Sequence, residues 1–324
     1  MPFIQGKFKG NLFSKNGHWE TILPALFRKI ELPYRRERFN LPDGDFLDLD
    51  ILDQNNEQAP VIVLFHGLEG SSNSQYIKGF CKRFHQMGMR CIAVNFRSCS
   101  GTMNNRIVSY HSGATDDIHS VIAHFANTYQ NCQLFALGFS LGGNALLKYL
   151  GENKYPLPNQ LFAACCVSVP IDLAGSSKQL SKFTNQLYMR QFLKSLNEKM
   201  IQKSRQFPHI IDTKGIEKIN NFWEWDNRFT AKINGFDSAD DYYSKCNALQ
   251  FIANIQIPTL LLNALNDPFL SEKCFPEKLA KQHPLFTFEQ CQFGGHVGFA
   301  SAFPNGYYWH EERVISFINQ VQQA

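Results

Sequence analysis

Short apolar runs alternate along most of the chain with longer segments in which apolar residues recur every three to four positions. A run of five or six apolar residues fits a strand buried on both faces, whereas the longer spacing fits an amphipathic helix. Such runs predict core strands at 60–65, 91–96, 134–137, 161–169, 258–263 and 286–292. Helical patterns predict helices at 76–87, 116–128, 145–150 and 307–321. This alternation indicates an α/β fold with a mostly parallel central sheet and helices on both faces.

A short amphipathic helix is predicted at residues 21–30, before the first core strand. We expect Thr21 to cap it, and Pro24 is tolerated only near a helix start. A helix packed over the core is the favoured interpretation. Because its apolar residues stand beside Arg28 and Lys29, contact with a membrane surface is the alternative.

Two further segments depart from the alternation of strand and helix. Residues 39–52 alternate apolar and acidic side chains, which predicts an antiparallel hairpin with its turn at Asp43-Gly44. Residues 171–255 carry helical patterns at 180–210 and 216–225 but no strand pattern, and roughly 80 residues are too many for a simple crossover. We therefore expect a single domain over residues 1–324, with a helical lid inserted at approximately 171–255.

Composition and charge exclude several classes of protein. Hydrophobic residues make up 44% of the chain, which is too many for a disordered protein. The formal net charge is only +4 and the basic residues form no long cluster, so we expect no nucleic-acid partner. The nine cysteines include no C-x-x-C pair, which indicates a reducing compartment. With no signal-peptide core and no apolar run of about 18 residues, we expect a cytoplasmic protein without a transmembrane segment.

The sequence Gly138-Phe139-Ser140-Leu141-Gly142 matches the motif G-x-S-x-G between a predicted strand and a predicted helix. Such a motif places the serine on a sharp, strained turn with its hydroxyl above the sheet. The helix that follows points its N-terminus at the same place, which favours a developing negative charge. Ser140 is therefore the candidate nucleophile.

A serine hydroxyl needs a base within hydrogen-bond reach, and the base needs an acid to orient it. On this type of turn the partners follow the serine in the order acid and then histidine, each after a strand. His296 lies between glycines after the last predicted strand, and Asp267 lies just after the strand at 258–263. Asp172 follows another predicted strand and is the rival for the acid.

The oxyanion that forms during such a reaction needs two backbone N–H donors. We assign one to Leu141, directly after the nucleophile, and the other to Leu68, in the loop that follows the strand at 60–65. His66, in the same loop, is expected to hold the loop in place. Arg228, within the insertion, could meet an anionic head group, but an ion pair that holds the lid is favoured.

Motifs spread over nearly the whole chain resemble those of the α/β-hydrolase superfamily, in its YheT-like branch, a group of predicted esterases related to mammalian lipid hydrolases. Ser98 departs from this pattern, since the family usually has glycine there. The matching segments are Gly17–Pro24, His66–Ser71, Asn95–Gly101, Tyr110–Gly113, Gly138–Asn144, Arg228–Ala231, Asp241–Tyr243, Asn266–Phe269 and Gly294–Phe299.

The resemblance implies hydrolysis of carboxylic esters with no cofactor and no metal. Together with the aromatic insertion, it predicts an ester or lipid substrate with an apolar acyl group, and it leaves peripheral membrane contact open. Two alternatives remain: acyl transfer to an alcohol or thiol by the same Ser140, Asp267 and His296, or a binding protein that keeps the fold without turnover.

Overall fold

The computed structural model describes residues 2–10, 15–301 and 306–323. The strands in these residues are β1 (Phe3–Gln5), β2 (Arg35–Asn40), β3 (Phe46–Leu52), β4 (Val61–Phe65), β5 (Arg90–Asn95), β6 (Leu134–Phe139), β7 (Leu161–Val167), β8 (Thr259–Ala264) and β9 (Phe286–Cys291). They form one sheet in the order β1-β9-β8-β7-β6-β4-β5-β3-β2. Only the β2–β3 and β3–β5 pairs are antiparallel. The predicted hairpin and the mostly parallel sheet are confirmed.

Helices follow most of the strands. The α-helices in the described residues are α1 (Gly17–Phe27), α2 (Gln75–Gln86), α3 (Thr115–Thr128), α4 (Leu141–Gly151), α5 (Leu173–Leu180), α6 (Gln186–Gln206), α7 (Phe222–Trp225), α8 (Ala231–Ile233), α9 (Ala239–Cys246), α10 (Glu277–Gln282) and α11 (Trp309–Gln322). Helices α3 and α4 pack on one face of the sheet, and α2 and α11 pack on the other. Successive strand residues point to opposite faces, so a strand covered on both sides is apolar throughout. Helices on both faces are therefore confirmed.

Helix α1 begins earlier than the sequence pattern predicts. The side chain of Asn16 accepts the N–H groups of His18 and Trp19 and caps the helix, so the prediction that Thr21 is the cap is wrong. Asparagine is a strong N-cap because its oxygen satisfies N–H groups that have no partner within the helix. Pro24 consequently lies inside the helix instead of in its first turn.

The described residues between β7 and β8 form helices and no strand. The helical pattern at 180–210 corresponds mainly to α6, and it is interrupted after α5 ends at Leu180, where the chain turns at Phe183–Asn185. The predicted helix at 216–225 is likewise reduced to a short turn followed by α7. These helices share a hydrophobic cluster of their own, and that cluster also contacts Leu68 and Phe269.

Candidate active site

Loops at one edge of the sheet carry all the predicted site residues. Ser140 follows β6, and Leu68 lies in the loop after β4. Asp267 follows β8, and His296 follows β9. These strands belong to the parallel stretch β9-β8-β7-β6-β4, so their carboxyl ends meet at the same edge. The topology alone therefore brings residues from distant parts of the sequence together.

Ser140 lies on a strained turn between β6 and α4. Its backbone has φ 50° and ψ −118°, a conformation that residues other than glycine rarely adopt. The turn also requires glycine on both sides of the serine. A Cβ at Gly142 would lie 2.5 Å from the carbonyl oxygen of His66, and one at Gly138 would lie 2.6 Å from Cα of Gly143. The turn therefore packs so closely against the neighbouring backbone that only glycine fits on either side of the strained serine.

Hydrogen bonds connect the predicted nucleophile, base and acid. The Nε2 atom of His296 lies 3.0 Å from Oγ of Ser140, and its Nδ1 atom lies 2.8 Å from Oδ2 of Asp267. With Asp267 ionised, Nδ1 carries the ring proton and Nε2 accepts the proton of the Ser140 hydroxyl. The arrangement can therefore remove a proton from Ser140 and stabilise the imidazolium that results.

Asp267 is buried, and its second oxygen accepts the N–H of Phe269 at 2.9 Å. Burial raises the pKa of Asp267, while the neighbouring His296 and the Phe269 N–H oppose that shift. The rival carboxylate has other partners: Asp172 accepts the Gly175 N–H at the start of α5 and the Ser271 hydroxyl at 2.6 Å. The geometry thus places Asp267, and not Asp172, beside the histidine.

Two backbone N–H groups are available for an oxyanion beside Ser140. Leu141 is the first residue of α4, so its N–H has no acceptor within the helix. In the other loop, the N–H groups of Gly67, Glu69 and Gly70 donate to Tyr76, Tyr110 and Gly67 respectively. Among the described residues no acceptor is found for the Leu68 N–H. This agrees with the choice of Leu68 and Leu141 as donors.

His66 holds the loop after β4 through both of its ring nitrogens. Nε2 accepts the N–H of Phe96 at 3.1 Å, and Nδ1 donates to the carbonyl of Gly67 at 2.7 Å. Burial lowers the pKa of His66 to about 4, so the ring is neutral near pH 7. Its contacts fit the expected structural role.

Arg228 lies in a π-helical turn of the insertion, and Ser98 lies in the loop after β5 and lines the cavity beside Ser140. Arg228 donates to the carbonyl oxygens of Asp212 at 2.9 Å and Lys214 at 2.6 Å, so it joins parts of the insertion to each other. Ser98 has φ 61°, a region in which glycine is unstrained, and its hydroxyl accepts the N–H of Asn104 at 3.2 Å. This explains why the family usually has glycine there and how the serine is accommodated.

The hydroxyl groups of Thr21 and Ser168, for which the sequence analysis predicted no place in the site, hold the loop that carries His296. Oγ1 of Thr21 accepts the His296 N–H at 2.8 Å, and Oγ of Ser168 accepts the Val297 N–H at 2.9 Å. Val297 has φ 57°, which is costly for a β-branched residue. Thr21 lies in the segment Gly17–Pro24 that resembles the family, and Ser168 directly follows β7. The sequence shows both hydroxyls, but it does not show that they contact the loop of His296.

Replacing Thr21 by valine is expected to lower kcat by roughly tenfold to a hundredfold, because valine fills the same space but cannot accept the His296 N–H. The unfolding free energy should fall by about 1 kcal/mol through the lost hydrogen bond. Steady-state kinetics and urea denaturation measure the two effects. Thr21→Ser keeps the hydroxyl and should retain most of the activity; equal losses in both variants would contradict this role for the hydroxyl.

A cavity opens beside Ser140 and His296, between the sheet edge and the insertion. Its polar lining includes Asp226, which accepts the hydroxyls of Thr230 at 2.5 Å and Tyr243 at 2.7 Å. Burial raises the pKa of Asp226 to about 6. Most of the exposed surface of the cavity is nonetheless apolar, and its apolar residues include Leu68, Leu141, Pro170, Leu173, Leu180, Phe192, Leu196, Met200, Phe222, Trp225 and Phe269.

Comparison with known proteins assigns the family. The family model Hydrolase_4, described as "Serine aminopeptidase, S33", matches residues 56–284. Over 316 residues the chain is 33% identical to YheT of Escherichia coli (strain K12), which is named as a predicted esterase, and the match covers 95% of this chain and 92% of YheT. The chain belongs to the α/β-hydrolase superfamily, in its YheT-like branch. The resemblance seen in the sequence motifs is confirmed.

Other α/β-hydrolases extend the comparison. The chain is 30% identical over 307 residues to phospholipase ABHD3 of Homo sapiens, a match that covers 92% of this chain and 75% of ABHD3. A solved esterase of Pyrococcus furiosus superposes with a TM-score of 0.60 at 14% identity, covering 91% of this chain and 96% of that one. At such low identity the superposition establishes the fold alone. The predicted α/β-hydrolase fold is confirmed.

No helix in the described parts of the chain is long and apolar enough to cross a membrane. Within the same residues, no group of three or more His, Cys, Asp or Glu side chains is arranged to hold a metal ion.

Proposed function

We propose that this enzyme, a carboxylic ester hydrolase by its family, cleaves its substrate through a triad of Ser140, His296 and Asp267. Ser140 Oγ attacks the acyl carbonyl while His296 Nε2 takes its proton. The oxyanion accepts hydrogen bonds from the N–H groups of Leu68 and Leu141. Asp267 stabilises the imidazolium, which then protonates the leaving alkoxide. Water activated by His296 releases the acid from the acyl-enzyme.

The observation that carries this proposal is the continuous chain of hydrogen bonds from Ser140 through His296 to Asp267, at 3.0 Å and 2.8 Å. The nucleophile also has the positive φ of a strained turn, at the start of α4. A protein that only binds a ligand has no need for these three groups in one hydrogen-bonded line. The geometry therefore supports turnover.

The substrate that we propose is an ester with an apolar acyl group, of short or medium chain length or from a lipid. The support is the cavity, whose lining near Ser140 is mostly apolar. Two relatives of this chain are named as a phospholipase and a monoacylglycerol lipase, in keeping with such substrates. We further propose that residues 171–255 act as the lid of this cavity, since α5, α6 and α7 supply most of its apolar wall.

A series of p-nitrophenyl esters of increasing acyl length tests this substrate class. We expect kcat/KM to rise by up to about fourfold for each added methylene until the cavity is filled, because each buried methylene contributes about 0.8 kcal/mol. Ser140→Ala serves as the background control. A steady fall in kcat/KM from the acetate upwards would contradict an apolar acyl site. Ester products formed with an added alcohol would indicate acyl transfer in place of hydrolysis.

A further inference from the structure

The outward face of α1 is apolar, although it faces solvent. Trp19 is 53% exposed and Leu26 is 64% exposed, and Ile22, between them on the same face, is partly exposed. The inward face is buried at Glu20 and Pro24. A surface helix normally has the opposite arrangement, with its apolar side inward. Large apolar side chains grouped on the outside of a helix indicate an interaction surface.

A second exposed apolar pair lies where α6 begins. Phe183 is 92% exposed and Leu187, four residues later, is 74% exposed. The two exposed apolar groups lie close together in space. The ring of His18, next to Trp19 in α1, stacks on the ring of Tyr188, next to Leu187 in α6, at a centroid distance of 5.8 Å. We call Trp19, Ile22, Leu26, Phe183 and Leu187 the outer apolar surface.

The segment that carries the α6 part of the outer apolar surface is rich in basic residues. Residues 173–206 contain seven basic residues and one acidic residue, Glu198. Lys199 and Lys203 turn inward to Glu69 and to the Arg106 carbonyl. The other five are exposed: Lys178, Lys182, Arg190, Lys194 and Arg205. Exposed apolar residues beside an excess of positive charge are the pattern that binds an anionic lipid surface.

The outer apolar surface lies next to the reacting groups. The ring of Tyr188 contacts Phe269 at a centroid distance of 4.8 Å, and Phe269 contacts His296 at 4.3 Å. On the other helix, Thr21 holds the His296 backbone. A bilayer on this surface would therefore lie close to His296, which lines the cavity, and not on a remote face.

We propose that the outer apolar surface and its basic residues dock the enzyme on an anionic lipid bilayer, from which the cavity takes its ester. This inference rests on the proposed function for the identity of the substrate, but the docking itself does not depend on catalysis. A second copy of the chain is a poorer occupant. In a two-fold symmetric dimer each surface meets itself, so the basic residues would face one another and repel.

Sedimentation with phosphatidylcholine vesicles, with and without phosphatidylglycerol, tests the docking. We expect the wild type to bind the vesicles that contain phosphatidylglycerol, and to bind them less at high salt. Phe183→Asp with Leu187→Asp should weaken binding by roughly tenfold or more. Lys182→Glu with Arg190→Glu should weaken binding and reduce its dependence on salt. As a matched control, Leu285→Asp changes an exposed leucine just before β9. Leu285 lies at the amino ends of the parallel strands, the edge of the sheet opposite the candidate active site, so this variant should bind as the wild type does.

Hydrolysis of water-soluble p-nitrophenyl acetate separates this inference from the proposed function. All the surface variants should hydrolyse it at the wild-type rate, which also shows that they fold. If the wild type binds anionic vesicles but does not cleave any ester, docking stands and the proposed function fails. Equal vesicle binding by the wild type and by Phe183→Asp with Leu187→Asp would overturn the docking surface. A wild-type dimer that dissociates in that variant, without vesicle binding, would assign the surface to a second copy.

Discussion

Replacing Ser140 by alanine is expected to lower kcat for ester hydrolysis by at least about 10⁴-fold and to abolish covalent labelling by a fluorophosphonate probe. Both effects follow from the loss of the hydroxyl oxygen that lies 3.0 Å from Nε2 of His296. Steady-state kinetics and mass spectrometry of the labelled protein measure them. The unfolding free energy should change by less than about 1 kcal/mol, since alanine keeps the Cβ that the turn already accommodates.

Ser120→Ala is the control for this variant, because Ser120 lies in α3, outside the cavity, and bonds the carbonyl of Asp116. It should be labelled and should turn over as the wild type does. Labelling of Ser140→Ala at the wild-type level would remove Ser140 from the mechanism. The absence of labelling in the wild type would count equally against the proposal.

Replacing Asp267 by asparagine is expected to lower kcat by about 10³- to 10⁴-fold with little change in KM. An amide cannot stabilise the imidazolium of His296, and its NH₂ group would favour the wrong ring tautomer, with the proton on Nε2. Burial of the carboxylate makes this loss large, because the negative charge acts on His296 with little screening by water. The measurement is kcat on a soluble ester, with KM recorded separately.

Asp172→Asn provides the matched comparison, because both aspartates follow core strands and both were candidates for the acid. Asp172 caps α5 and bonds Ser271, so its replacement should cost up to about 1 kcal/mol of stability but leave kcat essentially unchanged. The reverse result, with Asp172→Asn inactive and Asp267→Asn active, would transfer the role of the acid to Asp172.

The core strands could be predicted from the sequence because each is a continuous apolar run covered on both faces. Strand β1 could not, since it has only three residues and pairs with β9 near the other end of the chain. The break between α5 and α6 could not be predicted from the sequence either, because the spacing of apolar residues continues through the turn at Phe183–Asn185. Local patterns carry no information about where a partner strand lies or where a helix must stop to fit its neighbours.

The candidate triad could be predicted because a chemical requirement and a chain order restrict the choice to a few residues. The sequence favoured Asp267 over Asp172, but only the three-dimensional structure shows which of them lies beside His296, since both follow strands at the same edge of the sheet. The roles of Thr21 and Ser168 in holding the His296 loop could not be predicted from the sequence for a different reason. A hydroxyl that accepts one backbone N–H leaves no pattern in its own neighbourhood, and its partner lies 275 positions away for Thr21 and 129 for Ser168.

The bond between Thr21 and His296 also has a consequence for the order of events during synthesis. His296 leaves the ribosome 275 residues after Thr21, and contacts so far apart in sequence form late because closing the loop between them costs entropy. Ser140 and its strained turn can form while the growing chain is still attached. His296 cannot be held beside Ser140 until β9 and the loop after it have emerged, so on the proposed mechanism the nascent chain stays inactive until that segment has joined the fold.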